Sequence, residues 1–223
     1  MSALLFRVDD FLYTKPEEQW RHNLENFKKF HAVMFSHARY YTLGVIPKNV
    51  TEDQLVWLGE HPSIEIAQHG ILHDERFPNE FRDWHTEDQI FHLLHQNKVW
   101  LEQWSGREIV SYIPPHNVFD RKTVNALKRA GFRNIHCGPG SEFEMSMYSF
   151  DQGIHTVPSF PPYYGRSDEM LQRGTVEALK EEVSIRENPF CSFGPITVTL
   201  HWTWETNIGL EHLDRFLTAI DGL

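Results

Sequence analysis

Short apolar runs and capped helical segments alternate along this chain, and that alternation limits the fold more than any other feature. Leu4–Val8, Tyr40–Ile46, Ile64–Ala67, Ile109–Ile113, Asn134–Cys137 and Ile196–His201 read as strands. Met147–Phe150 and His155–Val157 are two further short candidates. Between the strands, 16–30, 51–59, 86–104, 120–130, 175–186 and 210–220 read as helices. Pro16-Glu17-Glu18 opens the first of these with proline and acids in its first turn. Thr51-Glu52-Asp53-Gln54 and Thr86-Glu87-Asp88-Gln89 have the spacing of capping boxes, and Asp120 is an N-cap with Gly131 at the far end. Trp20, Leu24, Phe27 and Phe30 fall at helical spacing and predict one buried stripe. Strands that alternate with helices predict an α/β fold of parallel βα units with right-handed crossovers.

At 223 residues the chain is expected to form a single domain, 1–223, with one substantial core. No apolar run approaches the ~20 residues of a membrane span, and the N-terminal segment does not read as a signal peptide. Two cysteines, Cys137 and Cys191, do not make a disulfide framework, so a cytoplasmic location is expected. The formal charge of −10 argues against nucleic-acid binding through a basic surface, and makes a neutral substrate a better fit than an anionic polymer. There is no redox cysteine pair and no glycine-rich phosphate loop. The composition says nothing of oligomeric state.

The chemistry-bearing residues sit just beyond strands. Ile64–Ala67 leads through Gln68 into His69-Gly70-Ile71-Leu72-His73. Residues four apart on one helical turn point the same way, so His69 and His73 could grip one ion. Among 14 histidines such a spacing also arises by chance, and the position after a strand is what singles this pair out. The first strand ends in Asp9-Asp10. Taken alone, an Asp-Asp pair is better read as a solvated turn or a helix cap. With the histidines, one of the two carboxylates would complete an open two-His-one-Asp site and the other would remain free as a base. His116 follows the strand 109–113, and His201 ends the strand 196–201. In a parallel barrel all of these positions lie on one rim, the face where barrel enzymes keep their sites. His92 and His95 lie within a helix and read as surface or packing residues.

With these residues in view, the chain resembles the polysaccharide deacetylase family, the chitooligosaccharide-deacetylase-like hydrolases of carbohydrate esterase family 4. The Asp-Asp pair after the first strand looks like Phe6-Arg7-Val8-Asp9-Asp10, and His-x-x-x-His looks like His69–His73. The Arg-x-Pro-aromatic turn is partly matched by Ile113-Pro114-Pro115-His116, and the final strand ending in histidine by Thr199-Leu200-His201. The motifs run in the family's order across nearly the whole chain. The resemblance implies an incomplete (β/α)7 barrel and one divalent ion, zinc expected, with cobalt, nickel or iron as alternatives. It implies Asp10, His69 and His73 as ligands, Asp9 as general base and His201 as general acid. The backbone N–H of His116 would help hold an oxyanion.

The chain departs from the family in three respects. Ile113 stands where it has an arginine, His116 replaces its aromatic residue, and its fourth motif, an acidic residue near a tryptophan, has no clear match. Asp151 is a poor substitute, while Trp202 or Trp204 could fill the hydrophobic role. Arg7, on the same strand face as Asp9, is a candidate for the missing positive charge. Glu205 reads as a supporting partner or a surface acid, and Asp74 and Glu75 as solvated acids with a smaller claim to orient His73.

The reading that follows is a metal-dependent deacetylase acting on an acetylated sugar or glycoconjugate, N-acetyl preferred. The alternative is a catalytically degenerate barrel that binds carbohydrate through Tyr163, Tyr164, Trp202 and Trp204. A third reading is another barrel metal hydrolase, such as one that opens a cyclic amide.

Overall fold

The structure is a computed structural model, and it describes residues 4–12, 23–73, 80–81, 85–137, 154–158, 163, 165–186 and 196–223. The expected strand at 147–150 therefore lies outside the described residues, as do Trp20, Asp74, Glu75, Asp151 and Tyr164. Seven strands, among them β2 (Tyr41–Val45), form one sheet in the order β6-β5-β4-β3-β2-β1-β7, and strand and helix alternate along the chain as in an incomplete parallel (β/α) barrel. By packing, the chain divides into two compact units. One comprises Met1–Asp9, Thr14–Thr42 and Ser159–Leu223, the other Asp10–Tyr13 and Leu43–Pro158.

In the second unit β3 (Ile64–His69), β4 (Ser111–Ile113), β5 (Asn134–Cys137) and β6 (His155–Pro158) pair in parallel, with Gln68 opposite Tyr112 and His69 opposite Ile113. Only Glu65 and Asn134 escape full burial in β3 to β5, as expected of strands covered on both faces. The helices carry the start signals that the sequence predicts. Thr51 and Gln54 form a reciprocal capping box at the head of α2 (Glu52–Gly59), and Thr86 and Gln89 do so for α3 (Glu87–Ser105). The Asp120 side chain accepts from Thr123 N–H to start α4 (Arg121–Arg129). Gly59 permits the α2–α3 contact, because a Cβ there would sit 2.0 Å from the Ser105 carbonyl oxygen.

In the first unit β1 (Leu4–Phe11) runs parallel to β7 (Ile196–His201), with Asp9 opposite His201. Helix α1 begins at Leu24, where the Asn23 side chain accepts from Asn26 N–H, and ends at Ser36, beyond the predicted Phe30. Its buried stripe is Phe27, Phe30, His31 and Met34, with Leu24 only half-buried. Two helices have no counterpart in the sequence reading: α5 (Ser167–Gln172) and α7 (Trp202–Ile208). They flank α6 (Thr175–Arg186) and precede α8 (Leu210–Ala219), which buries Leu213, Phe216 and Leu217. Among the described residues, no helix is long and apolar enough to cross a membrane.

Candidate metal centre

His69 is the last residue of β3, so its side chain is aimed by the sheet and not by a helix. Its Nδ1 lies 2.9 Å from the carbonyl oxygen of Ile113 on the neighbouring strand. A carbonyl only accepts, so Nδ1 carries a proton and Nε2, whose lone pair is the ligand site of an imidazole, lies on the other side. That lone pair faces Asp10, with Nε2 at 3.1 Å from Oδ1. His73 Nε2 lies 3.5 Å from the same oxygen. All three ligand atoms fall within 4.8 Å of one another, and among the described residues this is the one such cluster of three.

The backbone that delivers these atoms is not helical. Gly70 and His73 are both left-handed, at φ 57 and 52, so the two histidines converge through a tight loop. This corrects the helical-turn expectation: the spacing was informative, but the conformation behind it is different. Asp10 is also left-handed, at φ 64. In a regular strand consecutive side chains point to opposite faces, and a left-handed residue breaks that alternation. Non-glycine residues in this region are uncommon, and two of them, Asp10 and His73, at one site mark stored strain.

The donor set fits a divalent cation. Two imidazole nitrogens and a carboxylate oxygen converge with lone pairs inward, which is repulsive unless a cation lies between them. Burial, and then the neighbouring His69, push His73 down to about 4, so its ring is neutral near pH 7 and able to ligate. The 3.1 and 3.5 Å separations from Asp10 bracket the ~3.4 Å expected between ligands of a tetrahedral ion at about 2.1 Å. His116, exposed and left-handed at φ 53, places its ring 4.6 Å from that of His73. Glu80, which no motif marked, accepts backbone N–H groups from Ile71, Leu72 and His73.

The other predicted residues lie in the first unit. Arg7 holds Asp9 in a two-pronged ion pair, Nε to Oδ1 at 2.7 Å and Nη2 to Oδ2 at 2.6 Å, both side chains buried. A positive charge therefore faces Asp9 from its own strand. His201, directly opposite Asp9 in register, stacks on Trp204 with ring centroids 4.0 Å apart. Trp204 is 38% exposed.

Trp202 is a correction. Its indole is fully buried and meets Phe27 edge-on at 5.4 Å, so it belongs to the core and has no face for a sugar. The Tyr163 hydroxyl donates to Glu182 of α6. Glu205 is no surface acid: it is completely buried and accepts from both the backbone N–H and the hydroxyl of Ser167 at the start of α5. Burial pushes its carboxyl up to about 7 despite those hydrogen bonds. His92 and His95 are exposed on α3.

Fold and cluster together define an incomplete (β/α) barrel carrying a buried Asp-His-His metal triad. The sequence matches no family signature and no curated protein. Solved structures do match. A Mycobacterium smegmatis protein described as a polysaccharide deacetylase superposes with a TM-score of 0.71 at 16% identity, over 99% of this chain and 84% of that one. PuuE allantoinase gives 0.65 at 12% identity, over 96% and 82%. A carbohydrate esterase family 4 pseudoenzyme from Bacillus anthracis gives 0.54 at 15% identity, over 98% of this chain but 60% of its own length. At these identities the likeness is one of fold, and this chain shares the fold of these proteins.

Proposed function

We propose that this protein is a metal-dependent hydrolase that removes an acetyl group, N-acetyl preferred, from a sugar or sugar-containing substrate. The observation that carries this reading is the triad, with the His69 tautomer set by the Ile113 carbonyl so that Nε2 faces Asp10 and His73. Asp10, His69 and His73 would hold one divalent ion, zinc by preference, which when bound lowers the pKa of water and polarises a carbonyl. Asp9 takes the proton from the attacking water. Its carboxylate is gripped and oriented by the Arg7 guanidinium. His201 protonates the leaving nitrogen, its ring braced by Trp204. The His116 backbone N–H donates to the developing oxyanion, and Trp204 and Tyr163 contact the sugar. The cytoplasmic setting expected from the cysteine count favours a small soluble amino sugar or glycoconjugate precursor over a wall polymer.

A second reading is a degenerate barrel that binds carbohydrate without cleaving it. Ile113 in place of the motif arginine favours it, and Arg7 beside Asp9 weighs against it.

The test is metal content of the purified protein, followed by acetate release from N- and O-acetylated sugars, with allantoin as a cyclic-amide control. The expected result is one divalent ion per chain, lost in a His69→Ala/His73→Ala variant, and acetate release that Asp9→Asn abolishes while metal stays bound. Metal binding with sugar affinity but no turnover of any substrate would move the assignment to the second reading.

A further inference from the structure

Glu80 closes the loop between the two histidines from outside. Its Oε2 accepts from Ile71 N–H at 2.7 Å, and its Oε1 accepts from Leu72 N–H at 2.7 Å and His73 N–H at 2.5 Å. Three consecutive amides converging on one carboxylate form an anion-binding nest of the kind that often receives phosphate. The left-handed residues Gly70 and His73 bracket it, at φ 57 and 52. Gly70 also makes room for the occupant: a Cβ there would lie 2.5 Å from Glu80 Oε2 and 2.4 Å from Pro115 Cγ.

A left-handed backbone is sterically unfavourable for histidine, so something must hold His73 in that state. The backbone N–H of His73 itself bonds to Glu80, and the imidazole of the same residue reaches toward Asp10. Both Glu80 oxygens are engaged by amides, which suits an anchor of the loop and not a fourth ligand.

We propose that Glu80 is a positioning residue of the metal centre. Seated in the 71–73 nest, it fixes the left-handed turn that points His73 at Asp10 and His69, so ion affinity depends on a side chain that donates no ligand atom. The proposal rests on the metal reading above.

The test titrates the metal-stripped full chain, Glu80→Ala and Glu80→Gln with Co²⁺, read by its visible absorbance, with unfolding midpoints as a control. Amide hydrogen exchange of residues 71–73 is followed in the absence of metal. Glu80→Ala should weaken Co²⁺ binding roughly 10–100-fold, the range for lost outer partners of metal ligands. Exchange at 71–73 should speed up with the unfolding midpoint little changed. Glu80→Gln, which keeps one acceptor oxygen, should fall between and serves if the alanine variant does not fold. Wild-type affinity in either folded variant overturns the proposal and leaves the metal reading standing. Failure of the wild type itself to bind Co²⁺ or Zn²⁺ overturns both, and is told apart by that control.

Discussion

Arg7 and Asp9 lie two residues apart on β1, and the guanidinium of one grips both oxygens of the other, with side-chain exposures of only 1% and 4%. Residues i and i+2 of a strand share a face, which makes so short a sequence separation sufficient for a forked ion pair. Removing one member of a buried pair leaves an uncompensated charge. Arg7→Ala should therefore cost about 3–5 kcal/mol in denaturant unfolding. Arg7→Lys retains the charge but not the fork, and should lose about 1.5–3 kcal/mol. A loss below 1 kcal/mol for Arg7→Ala would show that the pair does not hold Asp9.

Gly70 is constrained twice, by its left-handed backbone and by the groups packed against it. Gly70→Ala must strain the turn and displace Pro115 or Glu80, so both thermal stability and metal affinity should fall. Gly131 provides the control, since it is also left-handed (φ 83) but has open space around it. Gly131→Ala should cost only about 1–2 kcal/mol and leave metal binding unchanged. Equal metal affinities in the two variants would mean that the close approach at Gly70 is not required.

Two tryptophans separated by one residue have opposite fates. Trp202→Ala opens a cavity beside Phe27 and should cost about 3–5 kcal/mol. Trp204→Ala removes a half-exposed ring and should stay within about 1 kcal/mol of wild type, while weakening sugar binding and the bracing of His201. Urea unfolding of the two variants side by side reads the difference directly.

The buried Glu205 makes stability depend on pH. Its folded pKa of about 7 lies above the ordinary 4.5, so between these values the native state keeps a proton that the unfolded chain releases. Its contribution is fully present below pH 4.5 and is lost as pH rises through 7. Glu205→Gln can still accept from Ser167 N–H and has no charge to bury. Relative to wild type it should gain stability on going from pH 4 to pH 8, on the order of 2–3 kcal/mol. A parallel pH profile for the two proteins would contradict the burial of a titrating carboxylate.

Much of the frame was legible because it is written in local signals. The β-branched run Ile196–His201 and the apolar Asn134–Cys137 are strands with the expected bounds, and Thr175–Arg186 is a helix with the expected bounds. Capping boxes at Thr51 and Thr86 are chemistry between residues three apart, which sequence displays directly. Helix α7 was not legible. Trp202-Thr203-Trp204-Glu205-Thr206 is rich in aromatic and β-branched residues that favour strands. Its helical form buries Trp202, Thr203 and Glu205, and that packing outweighs local preference.

Sequence by itself therefore determined the α/β alternation and the identities of Asp10, His69 and His73 as a candidate donor set. Each of these follows from period, capping or residue chemistry within a few positions, while β1 and β3 run on past their expected ends to Phe11 and His69. Only the tertiary structure decided that Ile113 orients His69 through its carbonyl, 44 residues away. It likewise decided that Trp202 is core, that Ser167 receives the buried Glu205, and that Glu80 seats in the nest between the histidines. Those relations depend on which backbone amides and carbonyls face a side chain once strands are in register and left-handed turns are set. Backbone groups are the same in every residue, so no pattern of side chains announces them.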